Sequence, residues 1–295
     1  MDLKTYSMET IASTQNQKVK NTILLQKPRE RRKQNLFLVE GQKEVSRAIR
    51  AGYTFKRLLI CKELFSGGIK SSIVEGESES ASHDPGIKFS SSELDLNQIP
   101  DNCEVDYVSS KVYAHMAYRE STEGIIAWAV PKSHELNEIK LSDNPFILVV
   151  DAVEKPGNLG AILRTADAAG IDALIISDTR TDVYNPNVIR SSLGAVFSTQ
   201  VGVGESEAII DWLKMNNIKI FCTALTASKP YTEINYTVPS AIVLGTEATG
   251  LSERWLEHSD QNIIIPMKGI VDSMNVSVST GIVLFEALRQ RRKNQ

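Results

Sequence analysis

The pattern of apolar residues differs between the first and the second part of the chain. In the first part, short apolar runs alternate with helical segments. The predicted elements are a helix over 12–33, a strand at Leu36–Gly41, a helix over Gln42–Ala51, and strands at Phe55–Cys61, Val105–Val108 and Gly124–Val130. The order α-β-α-β at the start predicts a small α/β domain.

The second part is more regular. Strands are predicted at Phe146–Val150, Ala173–Ile176, Thr199–Val203, Ile218–Ala224, Ala241–Gly245 and Ile263–Ile265, separated mostly by helical segments, with a final helix over Asn275–Arg292 that buries Val278, Ile282 and Phe285. Strands that are apolar at successive positions are buried on both faces, which is typical of a parallel sheet covered by helices. In such sheets ligands bind beyond the carboxyl ends of the strands, so the loops there are where chemistry is expected.

These two patterns of apolar residues predict two domains. The first covers residues 1–131, a polar stretch with flanking prolines forms a linker over 132–144, and the second covers 145–295. Within the first domain, Ser66–Ser92 is rich in Ser, Gly and Glu, which indicates a solvated loop or insertion.

Composition narrows the class of protein. Of the 295 residues, 42% are hydrophobic and 23% charged, ordinary values for a folded domain. No apolar run approaches the length of a membrane helix, and MDLKTYSMET has no signal-peptide pattern, so we expect a cytoplasmic protein that does not interact with membranes. Three cysteines without a CxxC pair predict neither disulfides nor a zinc site, and we expect no metal.

Charge gives a mixed indication. The net charge of −3 disfavours nucleic acid, but seven of the residues over Lys18–Lys33 are basic and only Glu30 is acidic. Residues Glu75–Asp106 are strongly acidic instead. The basic segment fits either a solvated helix end or an RNA contact.

Three loops after predicted strands carry the candidate chemistry. In the first, over Lys155–Gly170, Pro156 and Gly157 form a turn, Asn158 is a candidate N-cap, and Arg164 follows on an apolar helix where burial would require a partner. The second, VLGTEATGLSE, has two glycines that allow close backbone approach to a ligand. The third, over Ile263–Gln290, contains a polar turn before a helix with small residues. No GK[ST] or GxGxxG stands at a strand–helix junction, which disfavours a nucleotide-binding dehydrogenase. Each loop alone also fits an ordinary turn.

Together and in this order, the loops resemble the three motifs of the SpoU-type (TrmH-like) RNA ribose 2′-O-methyltransferases of the SPOUT superfamily. The resemblance runs from about Phe146 to Arg292, and FLVEGQKEV and GIIAWAV more weakly resemble the family's ribosomal-protein-like α/β substrate-binding domain. It implies a parallel-sheet α/β domain with a deep trefoil knot, S-adenosyl-L-methionine as methyl donor, and a homodimer.

The resemblance also implies site residues. The cofactor pocket is expected at Leu244, Gly245, Thr246, Gly250, Ile265, Met267, Met274 and Val276, and the catalytic residues at Asn158, Arg164, Glu247, Ser273 and Asn275. No histidine lies in these loops to act as a base. The resemblance leaves two roles open for Arg164, the base itself or a residue that positions phosphate. We favour phosphate binding and polarisation of the 2′-oxygen, with Glu247 orienting the arginine, because guanidinium almost never loses its proton in proteins.

The expected function is methylation of a ribose 2′-hydroxyl in RNA, with ribosomal RNA favoured. Expected RNA contacts are Arg29, Arg31, Arg32, Lys33 and Lys155, the last standing where many family members have an acidic or amide residue. Three alternatives stay open: a transfer-RNA 2′-O-methyltransferase, a base methyltransferase of the same superfamily, and a non-catalytic RNA-binding or ribosome-assembly factor.

Overall fold

The computed structural model describes residues 9–65, 99, 102–118, 123–246, 250–270 and 273–292. The chain divides into two compact units, Met1–Pro131 and Lys132–Gln295. No helix in the described ranges is both long and apolar enough to cross a membrane.

The first unit is built on a four-stranded sheet. Its strands are β1 (Phe37–Glu40), β2 (Phe55–Ile60), β3 (Glu104–Tyr107) and β4 (Ile125–Ala129), and its helices are α1 (Gln17–Leu24), α2 (Pro28–Gln34), α3 (Gln42–Arg50) and α4 (Ser110–Met116). The strand order is β1-β4-β2-β3, with β4 antiparallel to both neighbours and β2 parallel to β3. Val19, Leu59 and Tyr113 are among the fully buried residues of its core.

The predicted helix over 12–33 is two helices. Pro28 is the first residue of α2, where its missing N–H costs nothing and its ring cannot clash with a preceding helical turn. The chain therefore turns between Leu24 and Pro28, and α2 packs as a separate short helix.

The second unit is built on a parallel sheet, as predicted. Its strands are β5 (Phe146–Asp151), β6 (Ala173–Ser177), β7 (Val201–Gly204), β8 (Lys219–Thr223), β9 (Ser228–Pro230), β10 (Ser240–Leu244) and β11 (Gln261–Ile264). Its helices are α5 (Pro156–Ala169), α6 (Pro186–Ser191), α7 (Ala195–Ser198), α8 (Ser206–Met215), α9 (Glu253–Glu257) and α10 (Val276–Arg292). The strand order is β7-β6-β5-β10-β8-β11-β9, and every pairing is parallel.

The apolar strands are buried on both faces. Ile147, Leu148, Val149 and Val150 are each fully buried, as are the central residues of β6 and β10. This burial confirms the interpretation of continuous apolar runs as parallel strands covered by helices.

Residues 132–144 pack against this second unit. The Nδ1 atom of His134 lies 2.9 Å from the carbonyl oxygen of Val201, and Leu136, Ile139 and Leu141 pack against the sheet core. The segment predicted as a linker is therefore part of the second unit's packed surface.

The final helix is rotated relative to the prediction. Thr280, Val283, Leu284 and Ala287 are its buried positions, at the spacing of one helical face, whereas Val278 and Phe285 are 52% and 48% exposed. The prediction that Val278 and Phe285 are core residues is wrong, because α10 packs on α5 and β10 with the opposite face.

The last turn of α10 is anchored by Arg291. Its guanidinium donates to the carbonyl oxygens of Asn144, Pro145 and Val238 at 2.7–2.9 Å and lies 4.6 Å above the Phe146 ring. This arginine fixes the start of β5 against the helix end and is a structural residue of the basic C-terminal tail.

Candidate active site

A cavity of about 550 Å³ lies at the carboxyl ends of three adjacent strands of the second unit. The sheet order places β6, β5 and β10 side by side, so the loops that follow them converge there. The lining residues come from those loops and the start of α10: Asp151, Ala152, Val153, Glu154, Lys155, Asn158, Asp178, Arg180, Thr246, Gly250, Leu251, Ser252 and Val276. This is the position at which open parallel sheets bind ligands.

The backbone leaves two of these strands through unusual conformations. Ala152 follows β5 with φ 51° and Asp178 follows β6 with φ 44°, both in the left-handed region that non-glycine residues seldom adopt. The Ala152 amide still donates to the Ser177 carbonyl at 3.0 Å, which keeps the turn fixed to the neighbouring strand. Such strain persists where surrounding structure holds it, and it concentrates at functional sites.

Asn158 is the third residue of α5, within the first turn of the helix, and is not its N-cap. The helix begins at Pro156 with Lys155 as the cap residue, because proline's fixed φ suits the first helical position. The predicted N-cap role of Asn158 is therefore wrong, and its side chain is left to line the cavity.

Two predicted catalytic asparagines meet at the site. The Asn275 Nδ2 atom donates to Asn158 Oδ1 at 3.2 Å, while Asn275 Oδ1 accepts from the Ser277 backbone amide at 3.0 Å. Asn275 thus caps the start of α10, and the cap orients its amide nitrogen toward Asn158. The first and third sequence motifs are joined by this contact.

The glycines of the second motif allow two chain segments to cross closely. A Cβ atom on Gly245 would stand 2.2 Å from the backbone carbon of Gly250, so only glycine fits there. Gly250 has φ 68°, and its amide and carbonyl pair with those of Thr246 at 3.1 and 3.2 Å. Leu244 ends β10 as a buried residue, whereas Glu247 lies outside the described residues.

The structure brings only some of the predicted site residues to the cavity wall. Lys155, Asn158, Thr246, Gly250 and Val276 line it, and Asn275 contacts it through Asn158. Ile265 and Met267 follow β11, and Ser273 and Met274 precede α10, without lining this cavity.

Arg164 is exposed on α5 and makes no hydrogen bond or ion pair with any residue in the described ranges. Because water solvates the exposed guanidinium, it needs no buried partner. It does not line the cavity.

Sequence reasoning missed four charged residues of the described cavity wall, namely Asp151, Glu154, Asp178 and Arg180. Arg180 pairs with Glu154, and Asp178 accepts a hydrogen bond from Ser206. Asp151 is the last residue of β5, and its side chain is only 5% exposed. In the sequence, Asp151 is recognisable only as an acidic residue directly after a fully apolar run of strand residues.

The basic segment of the first unit divides by exposure. Arg29, Arg32 and Lys33 of α2 are exposed, but Arg31 is 3% exposed. Its Nη1 atom donates to the carbonyl oxygens of Leu25 at 3.0 Å and Gln26 at 2.7 Å, just past the end of α1. The prediction of Arg31 as an RNA contact is wrong, because its guanidinium is used within the fold.

In the described part of the chain, no group of three His, Cys, Asp or Glu residues is placed to hold a metal ion. Burial raises the pKa of the Cys222 thiol to about 12, so this cysteine is not a nucleophile.

The fold of this chain is similar to that of RNA methyltransferases in solved structures. A crystal structure of an RNA 2′-O ribose methyltransferase matches with a TM-score of 0.76 and 33% identity, covering 96% of this chain and 100% of the other. An AdoMet-bound rRNA methyltransferase from Sinorhizobium meliloti matches with a TM-score of 0.79 and 26% identity, covering 95% and 97%.

Sequence comparison agrees with this architecture. Residues 145–285 match the SpoU rRNA methylase family and residues 16–127 match the MRM3-like substrate binding domain. The 23S rRNA (guanosine(2553)-2′-O)-methyltransferase RlmP of Bacillus subtilis is 30% identical over 278 residues, which are 94% of this chain and 98% of that protein. The chain belongs to the SpoU rRNA methylase family. It is an RNA 2′-O-methyltransferase with S-adenosylmethionine as methyl donor.

Proposed function

We propose that this chain methylates the ribose 2′-hydroxyl of a guanosine in ribosomal RNA. The observation that carries the proposal is the Asn158–Asn275 contact beside a cavity at the strand ends, in a chain similar along nearly its whole length to a guanosine 2′-O-methyltransferase of 23S rRNA. Both amides offer donors and acceptors that fit ribose hydroxyls.

The cofactor would bind beside the close crossing of Gly245 and Gly250. Leu244, Thr246, Ile265, Met267, Met274 and Val276 are the other residues that we assign to it. Small and apolar residues suit an adenosine, and backbone amides and carbonyls exposed at strand ends suit its polar edge. When bound, S-adenosylmethionine supplies the methyl group.

Arg164 would bind the RNA backbone. Its exposure and its lack of an ion pair with described residues suit a guanidinium that meets a phosphate arriving from solvent. We propose that Glu247 orients this arginine and that Ser273 is part of the same catalytic site.

The exposed face of α2 would contact RNA together with Lys155. Arg29, Arg32 and Lys33 lie on one short helix with water-facing side chains, and their charge is not cancelled by ion pairs to described residues. Phosphate neutralisation by such a cluster gives salt-dependent affinity even though the whole chain has a charge of −3.

A second copy of the chain would cover the exposed face of α10. Val278 and Phe285 stand two helical turns apart, with half-buried Ile282 between them. An apolar stripe of this kind is costly to leave in water and suits a homodimer interface. We also propose that the chain of the second unit forms a trefoil knot. We propose further that the protein acts on ribosomal RNA in the cytoplasm.

Methyl transfer to defined RNA tests the function. The purified protein is incubated with S-adenosylmethionine and either 23S rRNA or transfer RNA, each lacking modifications, and the nucleosides are analysed by mass spectrometry. We expect 2′-O-methylguanosine in the 23S rRNA. A methylated base, or product in transfer RNA alone, would refute the proposal.

A further inference from the structure

The carboxylate of Asp151 is buried, and one of its oxygens has no hydrogen-bond partner among the described residues. The side chain is 5% exposed, and its Oδ1 atom is shielded from water and accepts no hydrogen bond from the residues that the structure describes. An unpaired buried carboxylate is costly, because it gives up its hydration without a compensating partner. We therefore expect the Asp151 carboxylate to interact with a group of a ligand or substrate that enters the cavity.

Asp151 is the last residue of β5, which lies between β10 and β6 in the sheet. Val150 pairs with Leu244 of β10, so Asp151 is level with the start of the Gly245–Gly250 crossing. On its other side Asp151 pairs with Ser177 of β6. It lines the same cavity as Asn158 and Thr246.

The other carboxylates on the described cavity wall already have partners. Glu154 pairs with Arg180, and Asp178 accepts from Ser206. The charged or titratable groups near Asp151 from the surrounding elements are Glu154, Lys155, Asp178, Arg180 and, through the sheet, Cys222. Asp151 is thus the cavity carboxylate that remains available to accept a proton.

We propose that Asp151 is the general base that accepts the ribose 2′-hydroxyl proton, an inference that rests on the proposed function. The 2′-O–H bond breaks and its proton forms a bond to a carboxylate oxygen of Asp151. An electron pair of the 2′-oxygen forms the bond to the methyl carbon, and the S–C bond breaks with its electrons left on sulfur.

This step removes one negative and one positive charge from the site. The carboxylate becomes a neutral acid and the sulfonium becomes a neutral thioether, so the transition state carries less charge than the ground state. Cancellation of charge is favourable where water is excluded. It also leaves Arg164 protonated and able to bind phosphate, since guanidinium does not lose its proton.

The test compares Asp151→Asn with Asp211→Asn, which removes an exposed carboxylate of α8 that does not line the cavity. Single-turnover methyl transfer should fall about 10²- to 10⁴-fold in Asp151→Asn, the usual contribution of a general base. We expect less than a twofold loss in Asp211→Asn. Calorimetry should give dissociation constants for S-adenosylmethionine and for RNA within about threefold of the wild type in both variants, which also establishes that the site is folded.

Two further readouts separate a base from a structural residue. The single-turnover rate of the wild type should depend on pH, and this dependence should be absent in Asp151→Asn. The melting temperature of Asp151→Asn should be equal to or higher than that of the wild type, because an unpaired buried charge is removed.

Several results would overturn the inference. A rate within threefold of the wild type in Asp151→Asn excludes a base at this position. A loss of cofactor affinity as large as the loss of rate means that Asp151 holds the positive charge of the cofactor instead, and a lower melting temperature with weakened binding means that it supports the fold. If the wild-type chain itself makes no 2′-O-methylated nucleoside, the proposed function is wrong and the inference falls with it.

Discussion

Arginines of one short helix serve different purposes at the residue scale. Arg31 and Arg32 are neighbours in sequence, yet one is buried against the end of α1 and the other faces water. Charge clustering in a sequence predicts that a segment is basic, but it does not distinguish a guanidinium that closes a helix end from one that meets a ligand. The distinction depends on where Leu25 and Gln26 place their carbonyl groups.

Substitution of the two arginines should therefore change the stability of the fold by unequal amounts. Arg31→Ala should lower the free energy of unfolding by about 2 kcal/mol, because charged hydrogen bonds are lost and two helix-end carbonyls lose their donor. Arg32→Ala should change it by less than about 0.5 kcal/mol. Urea unfolding measures both, and equal effects would contradict the assignment of Arg31 to the fold.

RNA affinity should respond to the exposed residues. Replacing Arg29, Arg32 and Lys33 together by Gln should weaken RNA binding and reduce the slope of log affinity against log salt concentration by about 2 to 3. Replacing Arg289, Arg291 and Arg292 is unsuitable as a comparison because Arg291 anchors α10. Lys214→Gln with Lys229→Gln, which alters charge on the second unit, is a suitable control. An unchanged salt slope in the α2 variant would mean that this segment is only solvated.

His134 gives the second unit a pH-dependent stability. Burial lowers the pKa of His134 below its usual 6.5, with the Val201 hydrogen bond opposing the shift. The unfolded chain therefore binds a proton that the folded chain does not, and stability should decrease as the pH falls below about 6.5. Replacement by Asn, which can keep the bond to Val201, should flatten the pH dependence of unfolding in urea between pH 7 and 5. The exposed His258→Asn variant should retain the wild-type dependence.

Helix α10 illustrates the element scale. Its sequence predicts the helix and nearly its full length, but the buried face could not be read correctly because apolar residues occur almost all round it. Contact with α5 and β10 selects Thr280, Val283, Leu284 and Ala287 for the interior. Hydrophobic periodicity is an unreliable guide to the buried face of a helix that carries apolar residues on more than one face.

The exposed face of α10 predicts the oligomeric state. Phe285→Asp should convert the protein from a dimer to a monomer in sedimentation velocity, because a charge would have to be buried in an apolar interface. Met215→Asp, at an exposed apolar residue of α8, should leave the assembly unchanged. A wild-type monomer, or a dimer that tolerates Phe285→Asp, would rule out this face as the interface.

At the scale of the whole molecule, the strand order determines which loops meet. The sequence predicts the parallel strands from continuous apolar runs, and their carboxyl ends as the place for chemistry. It does not predict that β10 inserts beside β5, and this insertion is what brings Thr246 and Gly250 next to Asn158. Asp151 was missed because a single acidic residue at the end of a strand has no distinctive pattern until its burial is known.

Net charge is likewise informative only through its distribution. The chain carries −3, yet exposed cations concentrate on α2 while acidic side chains line the cavity of the second unit. In the proposals above, α2 would bind phosphates of the RNA and Asp151 would accept the proton of the ribose 2′-hydroxyl, so both features would be used. The function thus requires an uneven charge distribution and not a basic chain.

The most direct test of the account is the chemical identity of the methylated nucleoside. Ribosomal RNA from cells with and without the gene is digested to nucleosides and fragments and analysed by mass spectrometry, with the gene restored in a third culture. The account predicts that one 2′-O-methylguanosine in 23S rRNA disappears with the gene and returns with it. Loss of a methylated base, or no change in ribosomal RNA, would contradict the account.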